Sequence, residues 1–369
     1  MFIFDDQAHF TCTSCGKCCR SGFEIPLQAE KAESIRASEP YLELAREGLE
    51  PLHVMAGDYN FLAYDEQGDC FFLKDNLCRL HQCGGVASKP VICQLYPLNL
   101  VKTPDGTFVS TLFSCPAVLA GNGEPLSRQG EALEELLSAH QGKVPHLPPI
   151  KEHVLVTGES TVTWPQYLEL ESRIFEHYSE RDPVRYLLRV ACLLIAPEPQ
   201  RVEFGVVPPD FEETLDGYFV PLVQEMLAYL EQEHGHPEVE DFLGCLQCGS
   251  EAFSERLGCS LSKFEILRPS SQLESHVVAR YVRNQLHGKL LLSGPSLVCR
   301  LVLVAAALAI LLLDLESRRV ADGVPHFSFQ HLEEAFEVCE ERLVSQSNDL
   351  EPLLTEFEEM LLSRFTAPA

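Results

Sequence analysis

Four cysteines fall within eight residues, Cys12-Thr13-Ser14-Cys15-Gly16-Lys17-Cys18-Cys19, and further thiols follow at Cys70, Cys78, Cys83, Cys93 and Cys115. Thiols separated by two residues can turn onto one ion, and Gly16 eases the loop between them. Zinc and iron–sulfur clusters both use thiolates so spaced. Neighbouring side chains in extended backbone point apart, so Cys18 and Cys19 either serve different sites or one of them packs as a small hydrophobe. Cys12, Cys15, Cys18, Cys19, Cys70, Cys78, Cys93 and Cys115 make a candidate ligand set, enough for two four-thiolate sites or for one site plus spares. Cys83 sits in Gln82-Cys83-Gly84-Gly85, which suits a free thiol as well as a ligand.

The rest of the chain is built differently. Nine of the 15 cysteines lie in residues 1–120, which hold 9 basic and 15 acidic side chains; the remaining 249 residues hold 19 and 40. A thiol-rich module followed by a strongly acidic one is the organisation this predicts, and 369 residues are enough for two domains. A hydrophobic content of 46% excludes wholesale disorder. The net charge of -27 argues against nucleic acid and against an anionic membrane as partners, and leaves a basic protein or peptide open. The start, MFIFDDQAHF, has no basic and then apolar segment of the signal-peptide kind. Leu301 to Leu313 is an apolar run of 13 residues between Arg300 and Asp314, short of the roughly 17–25 that a membrane helix needs, and reads as a buried helix. The expectation is a soluble, cytoplasmic protein, where thiols stay reduced and serve metal or redox chemistry rather than disulfides.

The pattern predicts an α+β protein. Residues 1–120 form a small, loop-rich cysteine module with short β-hairpins. Residues 121–165 form a connecting segment with a small hairpin, and 166–369 an acidic, mainly α-helical domain. Gly68 to Leu73 and Leu77 to Leu80 read as the strands of a hairpin turning at Asp75-Asn76, and Thr103-Pro104-Asp105-Gly106 is the turn signal of a second. Pro40 divides the helical stretch from Pro26 to Gly48 into two pieces. In the second half, Tyr186 to Ile195 and Phe211 to Glu233, the latter broken near Pro221, read as apolar helices. Phe329, Leu332, Phe336, Cys339 and Leu343 recur at the spacing of one helix face.

Outside the main thiol set the candidates are sparser. Arg20, Arg79 and Lys89 are cations close to the cysteines in sequence and suit cofactor binding by balancing a cluster's charge or holding a carboxylate. His81 lies among the thiols. Cys245-Leu246-Gln247-Cys248, with Cys259 beyond, is a lone second CxxC. Cys192, Cys299 and Cys339 sit in apolar helical patterns and read as core. Glu274, Tyr281 and Asn284 are spaced to share a helix face.

The string CxxCGxCC, then C-F-F-L-x-D-N-x-C-R-L-H, K-P-x-x-C-x-L-Y-P and S-C-P, resembles the CxxCxxCC (YkgJ-like) cysteine-cluster family of bacterial proteins regarded as zinc- or iron-chelating. The resemblance covers roughly residues 9–120. The order of cysteine module, hairpin and helical half is similar to the longer members of flagellin lysine-N-methylase type, as is the segment Glu274 to Asn284. That resemblance implies an iron–sulfur cluster such as 4Fe-4S, with zinc as the alternative, and S-adenosylmethionine as methyl donor. It also implies a partner protein with exposed lysines, flagellin among them, and gives Glu274, Tyr281 and Asn284 as catalytic candidates, a buried Glu or Tyr accepting the lysine proton. No G-x-G-x-G loop follows a strand, and the CxxxCxxC of radical enzymes is absent, so a donor here would use a less common site, such as an open iron. Two other function classes remain beside the enzyme: a non-enzymatic metal-chelating or cluster-carrying protein, and a thiol redox sensor.

Overall fold

Short strands form in the first part of the chain wherever a turn residue can reverse it. A computed structural model describes residues 1–20, 24–55, 59–140, 149–234, 251–254, 259–262, 272–345 and 347–366. The contacts divide the chain into two units: Phe2–Leu100 with Cys115–His146, and Met1 with Val101–Ser114 and Leu147–Ala369. The division does not follow the linear order, because a short stretch between two cysteines of the motif belongs with the helices. The protein is mixed α+β, with a cysteine domain ahead of a helical region.

The cysteine unit opens with strand β1 (Phe2–Phe4), then β2 (Pro26–Leu27), helices α1 (Ala29–Arg36) and α2 (Glu39–Arg46), and strands β3 (Leu52–Met55) and β4 (Tyr59–Leu62). β2, β4 and β3 pair antiparallel, with β4 in the middle. Pro40 lies in the first turn of α2, where its missing N–H costs nothing, so the predicted break falls just before it. The predicted first hairpin is shorter than its sequence signal. Only β5 (Leu73–Lys74) and β6 (Leu77–Cys78) pair, with Asp75 and Asn76 both at positive φ (52° and 63°) as a two-residue turn of this hand requires. Arg79 and Leu80, read as strand in the sequence, begin α3 (Arg79–Gly84), followed by α4 (Val91–Leu95). The chain leaves the unit within β7 (Leu98–Thr103) and, after β8 (Gly106–Thr111), returns at Cys115 into α5 (Pro116–Ala120) and α6 (Gly130–His140). Buried Ile25, Leu27, Ala32, Ile35, Leu44, Leu52, Leu62, Phe72 and Leu80 make one hydrophobic cluster, and Cys70 is part of it.

The helical unit holds the hairpin of β9 (His153–Thr157) and β10 (Ser160–Thr163), with its predicted turn, and helices α7 (Trp164–Glu176) and α8 (Pro183–Leu194). The helix expected to break near Pro221 does so just before it: α9 (Phe211–Thr214) and α10 (Val220–His234) are joined by a π-turn, Leu215–Phe219. A proline cannot donate to the preceding turn and crowds its carbonyl, and the wider turn absorbs both. Strands β11 (Glu251–Ser254) and β12 (Cys259–Ser262) pair with each other. Helices α11 (Gln272–His287), α12 (Leu297–Ala321), α13 (Phe329–Phe336) and α14 (Glu351–Thr366) complete the unit. α12 runs well past the 13-residue apolar run. It is long and apolar enough to cross a membrane, and here nearly all of it is buried by its neighbours, α8 above all. A helix apolar on every side has to be covered on every side. The helix face predicted from Phe329 to Leu343 begins as α13 and continues as a π-helix, Glu337–Val344, that buries Cys339 and Leu343. Cys245 and Cys248, the second CxxC, lie outside the described residues.

Candidate metal centre

The motif that carries four cysteines is a loop, because two of its residues take left-handed backbone: Ser14 (φ 56°) and Gly16 (φ 78°). After Gly16 a single tight helical turn, Lys17–Cys19, carries the last two thiols. A Cβ on Gly16 would lie 3.0 Å from the Arg20 guanidinium and 3.1 Å from the backbone of Asn76, so the loop can lie this close to the hairpin turn only with glycine there. Arg20 fastens the two together. It donates to the Cys15 carbonyl (3.1 Å) and to the Asn76 side chain (2.5 Å), and its Nε lies 3.6 Å from Asp69. The Cys70 N–H donates to the Cys19 carbonyl at 2.8 Å, which brings two cysteines 51 positions apart side by side.

The remaining thiols arrive on helix ends. Cys78 immediately precedes α3, Cys93 lies within α4, and Cys115 precedes α5, whose Ala117 and Val118 N–H groups face its sulfur. The start of the motif is seated by Gly123 (φ 114°), where a Cβ would meet the Thr11 backbone nitrogen at 2.7 Å, and by the Glu124 N–H, which donates to Thr11 Oγ1 at 3.0 Å.

A cavity of about 100 Å³ lies inside this unit. Seven of the eight predicted thiols line it: Cys12, Cys15, Cys18, Cys19, Cys78, Cys93 and Cys115. The eighth, Cys70, is buried behind the wall next to Cys19. Lys17, Lys89 and His81 share the lining, and no aspartate or glutamate does. In a chain of net charge -27 a cavity lined by sulfur and ammonium groups without one carboxylate is a marked local departure.

The thiols differ in how readily they ionise. Burial pushes Cys70 and Cys93 up to about 12 and Cys115 up to about 11. Cys18 and Cys19 share a proton: the Cys19 thiol donates to Cys18, which holds Cys18 low and Cys19 high, and Lys89 favours the Cys18 thiolate further. Mutual repulsion among the sulfurs raises several of them as well. A set of this kind binds protons until a cation replaces them. Among the described residues no three cysteine, histidine or acidic side chains stand at metal-ligand geometry; the sulfurs share a cavity lining. The donors present, soft sulfurs with balancing cations, suit zinc or an iron–sulfur cluster and not a hard cation such as calcium or magnesium.

Of the predicted charged partners, Lys89 lines the cavity. Arg20 does not, and ties the loop to the hairpin instead. Arg79 pairs with Glu43 of α2. Lys17, which sequence reasoning passed over, is on the lining; its place inside the motif loop was the available signal. Cys83 is exposed and not on the cavity. Glu274, Tyr281 and Asn284 are all in the helical unit and buried. The side chain of Asn284 takes up both backbone groups of Thr111, accepting from its N–H (3.0 Å) and donating to its carbonyl (2.8 Å). Tyr281 stacks edge-on against Phe113 and Phe336. Cys192, Cys299 and Cys339 are buried there too.

Residues 11–115 match the family model CxxCxxCC, described as a "putative zinc- or iron-chelating domain". The match covers the thiol-bearing part of the chain, under a third of its length, and ends on Cys115. No curated protein and no solved structure matches the chain.

Proposed function

We propose that the cysteine unit holds iron–sulfur chemistry, with zinc as the competing occupant, and that the whole chain uses it to methylate lysine side chains of a partner protein. The observation that carries the first part is the cavity lining: seven thiols, two lysines and no carboxylate. A single structural zinc needs four ligands, so seven lining thiols and an eighth behind them exceed it. Iron–sulfur clusters take four thiolates each and carry negative charge, which Lys17 and Lys89 would offset. Cys12, Cys15, Cys18, Cys19, Cys70, Cys78, Cys93 and Cys115 are the residues that would hold the group. When bound, it supplies a redox-active centre or a Lewis acid in a site from which carboxylate ligands are absent.

The enzymatic part rests on likeness in sequence. Support comes from the order of cysteine module and helical half, from the segment Glu274 to Asn284, and from the acidic charge of the chain, which attracts lysine-bearing surfaces. In the reaction a deprotonated lysine ε-amine attacks the methyl carbon of S-adenosylmethionine, the carbon–sulfur pair leaves on S-adenosylhomocysteine, and the proton of the methylated ammonium passes to solvent. The acceptor would be a protein with exposed lysines, flagellin being the acceptor that the resemblance implies, and the place of action the cytoplasm.

Two measurements test this. Chain purified without oxygen should contain iron and acid-labile sulfide and absorb broadly near roughly 400 nm; a colourless, zinc-loaded protein overturns the iron reading. Cluster-loaded chain should transfer labelled methyl from S-adenosylmethionine to flagellin lysines. Loaded chain that neither binds the donor nor labels any lysine-rich acceptor removes the methylase reading and leaves a metal-chelating protein.

A further inference from the structure

The last thiol on the cavity lining is reached by a strap of chain that the helical unit holds. Val101–Ser114 belongs to that unit, and Cys115 follows directly. β8 ends beside the end of α11. A Cβ on Gly288 would lie 2.3 Å from that of Ser110, so only glycine lets the strand lie this close. The Asn284 side chain on α11 then takes up both backbone groups of Thr111, at 3.0 Å and 2.8 Å. Phe113 sits between Tyr281 and Phe336, with ring centroids 5.3 and 5.6 Å away. The Ser114 N–H, the last before the cysteine, donates to Glu340 at 2.7 Å. Residues 112–114 are neither strand nor helix, yet Phe113 and Ser114 are buried, as are Thr111 and Glu340. Irregular backbone can be buried only where other groups take up its N–H and carbonyl groups, and here side chains of the helical unit do so. Glu340 reaches the strap from a π-helix, a rare form that recurs at functional sites.

We propose that Asn284 and Glu340 are positioning residues for Cys115, an inference that rests on the reading of the cysteine cavity as a metal centre. Both act through the backbone of the strap. The two bonds from Asn284 fix where it leaves β8, and the bond to Glu340 fixes the residue next to the one that carries the sulfur. Both residues lie outside the family match, which ends on Cys115. The helical unit therefore takes part in the centre by setting one of its ligands. A group that orients a ligand without touching the ion ordinarily contributes about 10–100-fold to metal affinity.

The full-length chain, stripped of metal without oxygen and titrated with zinc against a competing chelator, tests the assignment. Glu340→Ala and Asn284→Ala should each lower zinc affinity by about 10–100-fold. Glu340→Gln keeps an acceptor for the Ser114 N–H and should stay close to wild type. In the zinc-loaded alanine variants iodoacetamide should reach Cys115, while Cys192 and Cys299, buried in the helical unit, stay closed to it. Wild-type affinity in both alanine variants would overturn the positioning role, and so would a loss in Glu340→Gln as large as that in Glu340→Ala. Labelling of Cys192 and Cys299 together with Cys115 would overturn it too, because the variants would then act by unfolding the unit. In each of these cases the wild-type chain still binds zinc and the metal reading stands. A wild-type chain that takes up no zinc sinks the metal reading itself, and this inference with it.

Discussion

Lys289 and Glu171 form an ion pair in the interior of the helical unit, with their side chains only 2% and 9% exposed. Lys289 follows α11 in left-handed backbone (φ 60°) and directs its ammonium over the Phe108 ring, 4.3 Å from the centroid, with Trp164 and Tyr167 near. The Tyr167 hydroxyl donates to the other Glu171 oxygen at 2.7 Å. Burial pushes the Glu171 carboxyl up and the Lys289 ammonium down, in each case ahead of their mutual attraction.

That balance predicts an asymmetric mutational response. Lys289→Met or Glu171→Leu alone strands a buried charge or an unpaired polar group and should cost about 3–5 kcal/mol. The double variant Lys289→Met/Glu171→Gln, which keeps an acceptor for Tyr167, should lie much closer to wild type. Urea midpoints of the three variants check this, and equal losses in single and double variants would contradict it.

Glu340 gives the helical unit a pH dependence. It is fully buried on the π-helix, its Oε2 accepts the Ser114 N–H at 2.7 Å, and burial pushes it from the ordinary carboxylate range to about 8. Between about 4.5 and about 8 the folded chain keeps this proton while the unfolded chain has lost it. Stability from this group therefore falls as pH rises through that window, by up to about 1.4 kcal/mol per pH unit. Glu340→Gln keeps the acceptor for Ser114 and should flatten the slope, measured as thermal midpoints between pH 5 and 8.

Metal content should follow the cavity and not the cysteine count. Cys12→Ser, Cys15→Ser and Cys93→Ser should each lower bound metal, whereas Cys83→Ser, exposed and off the lining, and Cys339→Ser, buried in the helical unit, should leave it unchanged. Elemental analysis reads the result. Full metal in the first three would falsify the ligand assignment.

Removing the metal should loosen one unit only. A loop-rich module with a small hydrophobic cluster depends on its ion for folding, while the helical unit is built around its own buried helix. Limited proteolysis of the chelated chain should cut within residues 2–100 and 115–140 and spare α12; equal sensitivity of both would refute the coupling.

Gly123→Ala should disturb the motif from outside the family match. The added Cβ meets the Thr11 backbone at 2.7 Å at a position with φ 114°, so Thr11 has to shift, and Cys12 follows it in the chain. A loss of metal affinity in this variant, with the far-ultraviolet circular dichroism preserved, is the expected outcome; wild-type affinity would show that the loop tolerates the shift.

Much of the local structure was legible because it is local. The turns at Asp75-Asn76 and Thr103 to Gly106, the break before Pro40 and the interruption near Pro221 follow from backbone chemistry that each residue carries with it, whereas the π form of that interruption does not. Periodicity marked the buried helices for the same reason. Cys78 to Leu80 misled, because strand and helix-start signals overlap there and the hairpin is only two pairs long.

From the sequence alone came the thiol set, its metal-like spacing and the contrast between a sulfur-rich and an acidic part. Spacing is a property of neighbours along the chain, so it says which residues can ligate but not which stand together. The tertiary structure decided that Cys19 lies against Cys70 across 51 positions, that Lys17 and Lys89 line the cavity while Arg20 and Arg79 brace its surroundings, and that Glu274, Tyr281 and Asn284 are interior residues of the helical unit. Those outcomes depend on which surfaces burial brings into contact, a balance summed over many residues that no single motif contains.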